Sequence, residues 1–280
     1  MATIIDGKKI ALEIRENLKR KIAELGVCPK LAVVLAGNDE ASKIYVRNKQ
    51  KAALEVGIET VLYTFDEDVS EQMLLDLIDK LNDDVCINGI LVQLPLPAHI
   101  NSSKILNRID PKKDVDGFHP FNIGLLQNGD ISGTIAATPK GVLKLIKTTG
   151  IDLKGKNAVV IGRSNIVGKP TALLLLNEDC TVCVAHSKTK DLKSLCQNAD
   201  IVVSATGCAK LVKADWLKKD ALVIDVGICR DEAGKLCGDV DFEGAAKIAS
   251  FITPVPGGVG PMTIAMLLEN VVDAYLKQHV

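Results

Sequence analysis

Lys49 follows Tyr45 by one helical turn in Ser42-Lys43-Ile44-Tyr45-Val46-Arg47-Asn48-Lys49, so the two side chains share a face. That face continues through Ala52, Ala53 and Val56, which are apolar. A lone helix lysine is ordinarily a solvated surface residue. On an apolar stripe it is held away from water, gives up its proton more readily and suits general acid–base work near neutrality. Lys43 and Lys51 lie off the stripe and read as solvent lysines. Gln93 closes an apolar run and opens Gln93-Leu94-Pro95-Leu96-Pro97. In open α/β sheets ligands bind outside the C-terminal ends of the strands. By itself Gln93 would equally serve as a satisfied strand-end amide. Lys113-Asp114-Val115-Asp116-Gly117 supplies two carboxylates. With one residue between them they need not face the same way, and one could simply cap a turn or helix. No further ligand accompanies them, so a metal pair has no support.

A second group of residues suits a nucleotide. Residues 158–170 read as a strand, a tight turn at Gly162-Arg163-Ser164-Asn165 and a helix start. Backbone N–H groups at such a helix N-terminus favour a pyrophosphate. Ser164 and Val167 replace the second and third glycines of the dinucleotide fingerprint, so the generic motif is weak. The next strand ends in Val184-Ala185-His186-Ser187-Lys188, without the carboxylate that would hold the ribose hydroxyls of NAD. Arg163, Ser187 and Lys188 offer donors and positive charge instead, which points to NADP. Arg163 alone would pass for a solvated loop arginine, and His186 has no nucleophile to serve. Near the C-terminus, Pro254-Val255-Pro256-Gly257-Gly258-Val259-Gly260-Pro261 crowds three prolines and three glycines into one loop. Such a loop is stiff, nearly bare of side chains and able to lie against a planar ligand. Pro261 is expected at the first position of the last helix, where proline is favoured.

These groups need a scaffold to bring them together. Helical periodicity runs over residues 10–25, 40–56 and 71–81, and Gly57 stands where a C-cap glycine would. Short apolar or β-rich runs fill 31–35, 60–65 and 89–94. A helix over 141–147 precedes four short apolar strands at 158–161, 181–185, 201–205 and 222–226. The alternation predicts α/β architecture with parallel sheets covered on both faces. The length of 280 residues favours about two domains at ~150 residues each. The last helix is expected to return to the first domain, giving 1–138 plus 262–280 and 139–261.

Bulk composition narrows the partners. The formal net charge is −1 and aromatics are 3%, which argues against nucleic acid and anionic membranes. No apolar run approaches the ~20 residues of a membrane span. Asp6, Lys8, Lys9, Glu13, Arg15 and Glu16 leave no room for a signal-peptide core, so a cytoplasmic location is expected. The eight cysteines are scattered, and only Cys180 and Cys183 have ligand-like spacing. Placed on a strand, those two would face opposite ways, so reduced thiols and no metal site are expected.

Together these strings, spread over nearly the whole chain, closely resemble the bifunctional methylenetetrahydrofolate dehydrogenase/methenyltetrahydrofolate cyclohydrolase family. The resemblance implies two α/β domains flanking a cleft, the second a Rossmann-type NADP-binding domain, and usually a homodimer. It implies oxidation of 5,10-methylenetetrahydrofolate with NADP and hydrolysis of the product to 10-formyltetrahydrofolate, steps of one-carbon folate metabolism. Residue by residue, Lys49 matches the family's catalytic lysine, Tyr45 the tyrosine that packs on the folate, and Gln93 the amide that tunes the lysine. Asp116 matches the carboxylate that grips the pterin. Pro256, Gly257, Gly258 and Pro261 match a wall of the folate site. Gly162, Arg163 and Ser164 match the cofactor turn, Ser187 a contact to its extra phosphate, and Ile228 another cofactor contact. Ala137, in Ala136-Ala137-Thr138-Pro139, departs from relatives that often carry cysteine there. Two rivals stay open at this point: an NADP-dependent dehydrogenase of a small hydroxy acid with Lys49 as base, and a non-catalytic NADP-binding sensor.

Overall fold

Every ladder between the principal strands is parallel, because helix-bearing crossovers separate strands that pair side by side. The computed structural model describes residues 1–279 and forms two units, one of residues 12–137 and from 264 onward, the other of residues 1–11 and 138–263. Both are mixed α/β.

The first unit holds a three-stranded sheet in the order β3-β2-β4, with β2 at Lys30–Ala36, β3 at Glu59–Phe65 and β4 at Gly89–Val92. Every residue of β2 after Lys30 is buried, as a central strand covered on both faces demands. Helix α1 (Gly7–Leu25) enters this unit at Leu12. Helices α2 (Glu40–Val56) and α3 (Glu71–Asp83) form the crossovers, and α4 (Ser102–Leu106) and α5 (Pro120–Gln127) follow β4. Asp39 caps α2 by accepting from the Ser42 amide at 2.7 Å, and Gly57 ends it at φ 92°. Ile78, Ile90 and Ile105 are fully buried in the core that α3, β4 and α4 share.

The second unit holds a six-stranded sheet in the order β1-β11-β8-β7-β5-β6. Its strands are β1 (Thr3–Ile4), β5 (Asn157–Ile161), β6 (Thr181–Ala185), β7 (Ile201–Ser204), β8 (Leu222–Asp225) and β11 (Phe251–Ile252). Strands β9 (Cys229–Arg230) and β10 (Leu236–Cys237) form a separate antiparallel hairpin. Helices α6 (Ala137–Lys147), α7 (Gly168–Asn177), α8 (Leu192–Gln197) and α9 (Phe242–Ala245) and a 3₁₀ turn at Ala214–Trp216 complete it.

Three features differ from the sequence expectation. Residues 1–11, expected in the first domain, belong to the second unit, because β1 adds to the sheet beside β11. No run of alternating residues announces a two-residue edge strand. The last helix, α10 (Val259–His279), begins before Pro261, which becomes its third residue. That placement costs no hydrogen bond, since first-turn amides have no intrahelical partner. Cys180 lies just before β6, buried, with its thiol donating to the Leu153 carbonyl at 3.3 Å. All eight cysteines are free thiols. Among the described residues no helix is long and apolar enough to cross a membrane.

From Ile264 onward α10 packs in the first unit. Asn270, buried on α10, donates its side-chain amide to the carbonyls of Val115 and Ile135, both at 2.9 Å. Asn270→Leu leaves these acceptors without that donor and is expected to lower unfolding free energy in urea by about 2–3 kcal/mol. An unchanged urea midpoint would show that the two bonds carry no net stability.

Candidate functional site

Lys49 lies on α2, half-buried at the edge of the stripe whose members Ala52, Ala53 and Val56 are buried. Its Nζ donates to Gln93 Oε1 at 3.1 Å. The Gln93 amide nitrogen donates to the Leu94 carbonyl at 2.6 Å, which leaves Oε1 as the atom aimed at the lysine. The Gln93 backbone amide donates to the Val34 carbonyl at 2.9 Å, so the β2–β4 ladder continues one residue past β4. A lysine on a crossover helix thus meets an amide at a strand's C-terminal end. Tyr45, one turn earlier on α2, is 43% exposed and leaves its ring open to a ligand.

Asp116 comes near Lys49 at the end of a turn-rich segment that follows α4. Ile90 and Asp114 form a parallel bridge, and the Ile90 amide donates to the Lys113 carbonyl at 2.8 Å. Residues of this segment divide their work. Lys113 is buried and its ammonium donates to the carbonyls of Leu81, Asn82 and Asp84 at 2.7–2.9 Å, capping the end of α3. Burial holds its pKa below the usual lysine range. Asp114 is buried too, accepting from the backbone amides of Gly117, Phe118 and His119 and from the Asn122 side chain. Asp114 is therefore the capping carboxylate of the pair. Asp116 is the member of the pair that feels the Lys49 charge. Burial pushes its carboxyl up to about 6, against the pull of the Lys49 charge and with a further push from Asp114.

In the second unit β5 and β6 end level, and the Gly162 amide donates to the Ala185 carbonyl at 2.8 Å. Gly162 has φ 118°, and a Cβ there would lie 2.3 Å from the Ala205 carbonyl oxygen. The turn is consequently packed tightly against the backbone just past β7, and α7 starts at Gly168. Ser164 Oγ accepts from the amides of Val167 and Gly168 at 3.1 and 3.3 Å, so the serine at the second fingerprint position shapes the helix start. Arg163, Ser187 and Lys188 are exposed around the strand ends, with no carboxylate on residues 186–188. This donor set fits a nucleotide bearing an additional phosphate.

The 254–261 loop, residues 225–228 and Leu236 line a cavity of about 140 Å³. Ile228, the loop residues Pro256, Gly257 and Gly258, and Pro261 in the first turn of α10 therefore share one hollow. The N-terminus buttresses it: the Lys8 amide donates to the Gly257 carbonyl at 2.9 Å, and Gly7 lies against the Gly258 backbone.

Sequence reasoning missed the carboxylates behind this hollow. Asp225 is buried and accepts from the amides of Gly227, Asp239 and Val240 at 2.9–3.0 Å. Asp239, fully buried, accepts from Ser204 Oγ and the Thr206 amide. Burial lifts the Asp225 carboxyl to about 6 despite these donors. The available signal was an Asp ending an otherwise apolar strand, Leu222-Val223-Ile224-Asp225. Among the described residues no cluster of His, Cys, Asp and Glu is placed to hold a metal ion.

Comparison with known proteins divides the chain near residue 137 as well, but in sequence order, so that α10 falls with the second family domain. A family model described as the tetrahydrofolate dehydrogenase/cyclohydrolase catalytic domain matches residues 5–116, and the corresponding NAD(P)-binding domain matches residues 136–279. The Listeria innocua protein named bifunctional protein FolD is 57% identical over 277 residues, 98% of this chain and 97% of its own. The crystal structure of the bifunctional FolD methylenetetrahydrofolate dehydrogenase/cyclohydrolase of Campylobacter jejuni has TM-score 0.96 at 51% identity, covering 99% of this chain and 100% of that one. The Trypanosoma brucei methylenetetrahydrofolate dehydrogenase-cyclohydrolase, solved with NADP and an inhibitor, has TM-score 0.94 at 39% identity, covering 99% and 98%.

The raised Asp116 carboxyl has a consequence for stability. Below about pH 4 it is protonated in both folded and unfolded chains. Between about 4 and 6 only the unfolded chain ionises, so stability falls, by about 3 kcal/mol in all once pH is well above 6. Asp116→Asn removes this loss. Urea titrations should show the variant gaining roughly 2–3 kcal/mol over the native protein between pH 4 and pH 7.5. A stability difference independent of pH would contradict the buried-carboxyl assignment.

Proposed function

The chain belongs to the tetrahydrofolate dehydrogenase/cyclohydrolase family, and from that membership we infer that Lys49, Gln93 and Asp116 carry its folate chemistry. It is a bifunctional enzyme. It oxidises 5,10-methylenetetrahydrofolate to the 5,10-methenyl cation with NADP and hydrolyses that cation to 10-formyltetrahydrofolate. The observation that carries the residue assignment is the Lys49–Gln93 hydrogen bond at 3.1 Å with the Asp116 carboxyl within reach of the lysine's charge.

The two steps ask different things of the protein. In the oxidation, lone pairs on the two nitrogens flanking the bridge stabilise the cation, so alignment matters more than an acid or base. NADP, when bound, supplies the hydride acceptor. Gly162, Arg163 and Ser164 and the start of α7 would hold its pyrophosphate, Arg163 and Ser187 its additional phosphate, and Ile228 its apolar contact. Tyr45 offers a ring face to the folate, and Pro256, Gly257, Gly258 and Pro261 a flat backbone wall.

The hydrolysis needs proton traffic. A proton must leave the attacking water and another must reach the departing nitrogen. Lys49 is the carrier. Its bond to Gln93 Oε1 occupies one N–H and points the others. Asp116 holds the pterin, and its carboxyl near 6 lets it accept ring N–H groups at neutral pH. The same reading extends to a homodimer in the cytoplasm, of which sedimentation equilibrium tests the first.

Lys49→Met separates the steps. Hydrolysis should fall by about 10²–10⁴-fold, the usual contribution of a positioned acid–base group, while NADP reduction on methylenetetrahydrofolate persists. Following nicotinamide absorbance and 10-formyltetrahydrofolate in one incubation reads both. Undiminished formation of 10-formyltetrahydrofolate would remove Lys49 from the mechanism, and NADP reduction on hydroxy acids without folate would favour another dehydrogenase.

A further inference from the structure

Cys229 and Cys237 are cross-strand partners in the β9–β10 hairpin. Both are free and partly buried. Directly opposed residues of an antiparallel pair project to the same face with Cβ atoms roughly 4.5–5.5 Å apart. A disulfide needs Cβ atoms about 3.5–4.5 Å apart and Cα atoms about 4.4–6.8 Å apart. Closure therefore asks the two strands to approach by only about 1 Å. The residue before each cysteine, Ile228 and Leu236, lines the 140 Å³ cavity. The hairpin is tied to the strand ends behind it, because Cys229 Sγ donates to Asp239 Oδ1 at 3.6 Å and Asp239 holds the Ser204 hydroxyl.

We propose that Cys229 and Cys237 form a reversible disulfide by exchange with low-molecular-weight disulfides, and that its closure shifts Ile228 and Leu236 and weakens NADP binding. Burial, with Asp239 alongside, pushes the Cys229 thiol up to about 11, so the first attack falls to Cys237. The Cys237 thiolate attacks the small disulfide, a mixed disulfide forms, and one small thiol leaves. Cys229 then gives up its proton to solvent and its sulfur attacks the Cys237 sulfur. The second small thiol departs as thiolate and is protonated. Two protein thiols are oxidised and one small disulfide is reduced to two thiols. Bond formation follows from the register alone; the effect on NADP rests on reading Ile228 as a cofactor contact.

The test uses the full-length enzyme carrying Cys28→Ser, Cys86→Ser and Cys208→Ser, which removes the exposed thiols. After treatment with hydroxyethyl disulfide, peptide mapping should find Cys229 joined to Cys237 with loss of two hydrogens. The KM for NADP should rise roughly threefold or more with kcat little changed, and dithiothreitol should reverse it. Adding Cys237→Ser should make KM indifferent to the treatment. Full alkylation of both thiols after treatment would overturn the proposal. So would a formed bond with unchanged KM when Ile228→Ala, in the reduced enzyme, raises KM. If Ile228→Ala leaves KM unaltered, the cofactor reading of that residue fails separately and the mapped bond stands.

Discussion

The hydrogen bond from the Lys49 ammonium to Gln93 Oε1 ties a crossover helix to the end of a strand, and the proposed chemistry depends on it. Neither partner would be informative alone. A half-buried lysine can be a surface residue that snorkels, and a strand-end glutamine can be a satisfied amide. Joined, they fix an amine of defined orientation. The fold secures each partner independently. Asp39 and Gly57 bracket α2, so Lys49 cannot slide along the helix axis. Gln93 is held by its own backbone bond to Val34 and by its side-chain bond to the Leu94 carbonyl.

Each unit also carries a buried carboxylate that gathers backbone amides beside the residues proposed to touch a ligand. Asp114 binds the turn that follows Asp116, and Asp225 ties the end of β8 to the segment after β10. A buried carboxylate is costly unless its oxygens are occupied by donors. Here the donors are loop amides that no sheet or helix would otherwise satisfy, so charge and loop stabilise each other. The arrangement gives irregular backbone the rigidity that positioning demands without regular secondary structure. Lys113 does the converse for α3, supplying cation donors to its terminal carbonyls.

Much of this was legible in the chain. Residues 40–56 formed a helix with the bounds that periodicity, Asp39 and Gly57 required, and the buried strands fell within a residue or two of their apolar runs. Types and spacing also singled out Lys49, Gln93 and the Asp114/Asp116 pair, the family resemblance chose Asp116 from that pair, and only the fold could bring the three segments together. The rest was hidden for physical reasons. β1 is two residues long, too short to show alternation, and its place beside β11 is a long-range pairing that local sequence does not encode. The start of α10 at Val259 overrides the preference of Pro261 for the first position, because a first-turn proline loses nothing. Asp225 and Asp239 resembled ordinary polar punctuation, since burial is a tertiary property. The pairing of Cys229 with Cys237 needed the register of a hairpin too short to read from composition.

A double-mutant cycle on hydrolysis of the methenyl cation tests the central claim most directly, using Lys49→Met, Gln93→Met and both together. If Gln93 acts through the amine, its loss should matter only while Lys49 is present, and the double variant should hydrolyse no more slowly than Lys49→Met. Multiplicative losses, with the double variant slower by the product of the single effects, would mean that the two residues act independently and that their hydrogen bond is not the seat of the chemistry.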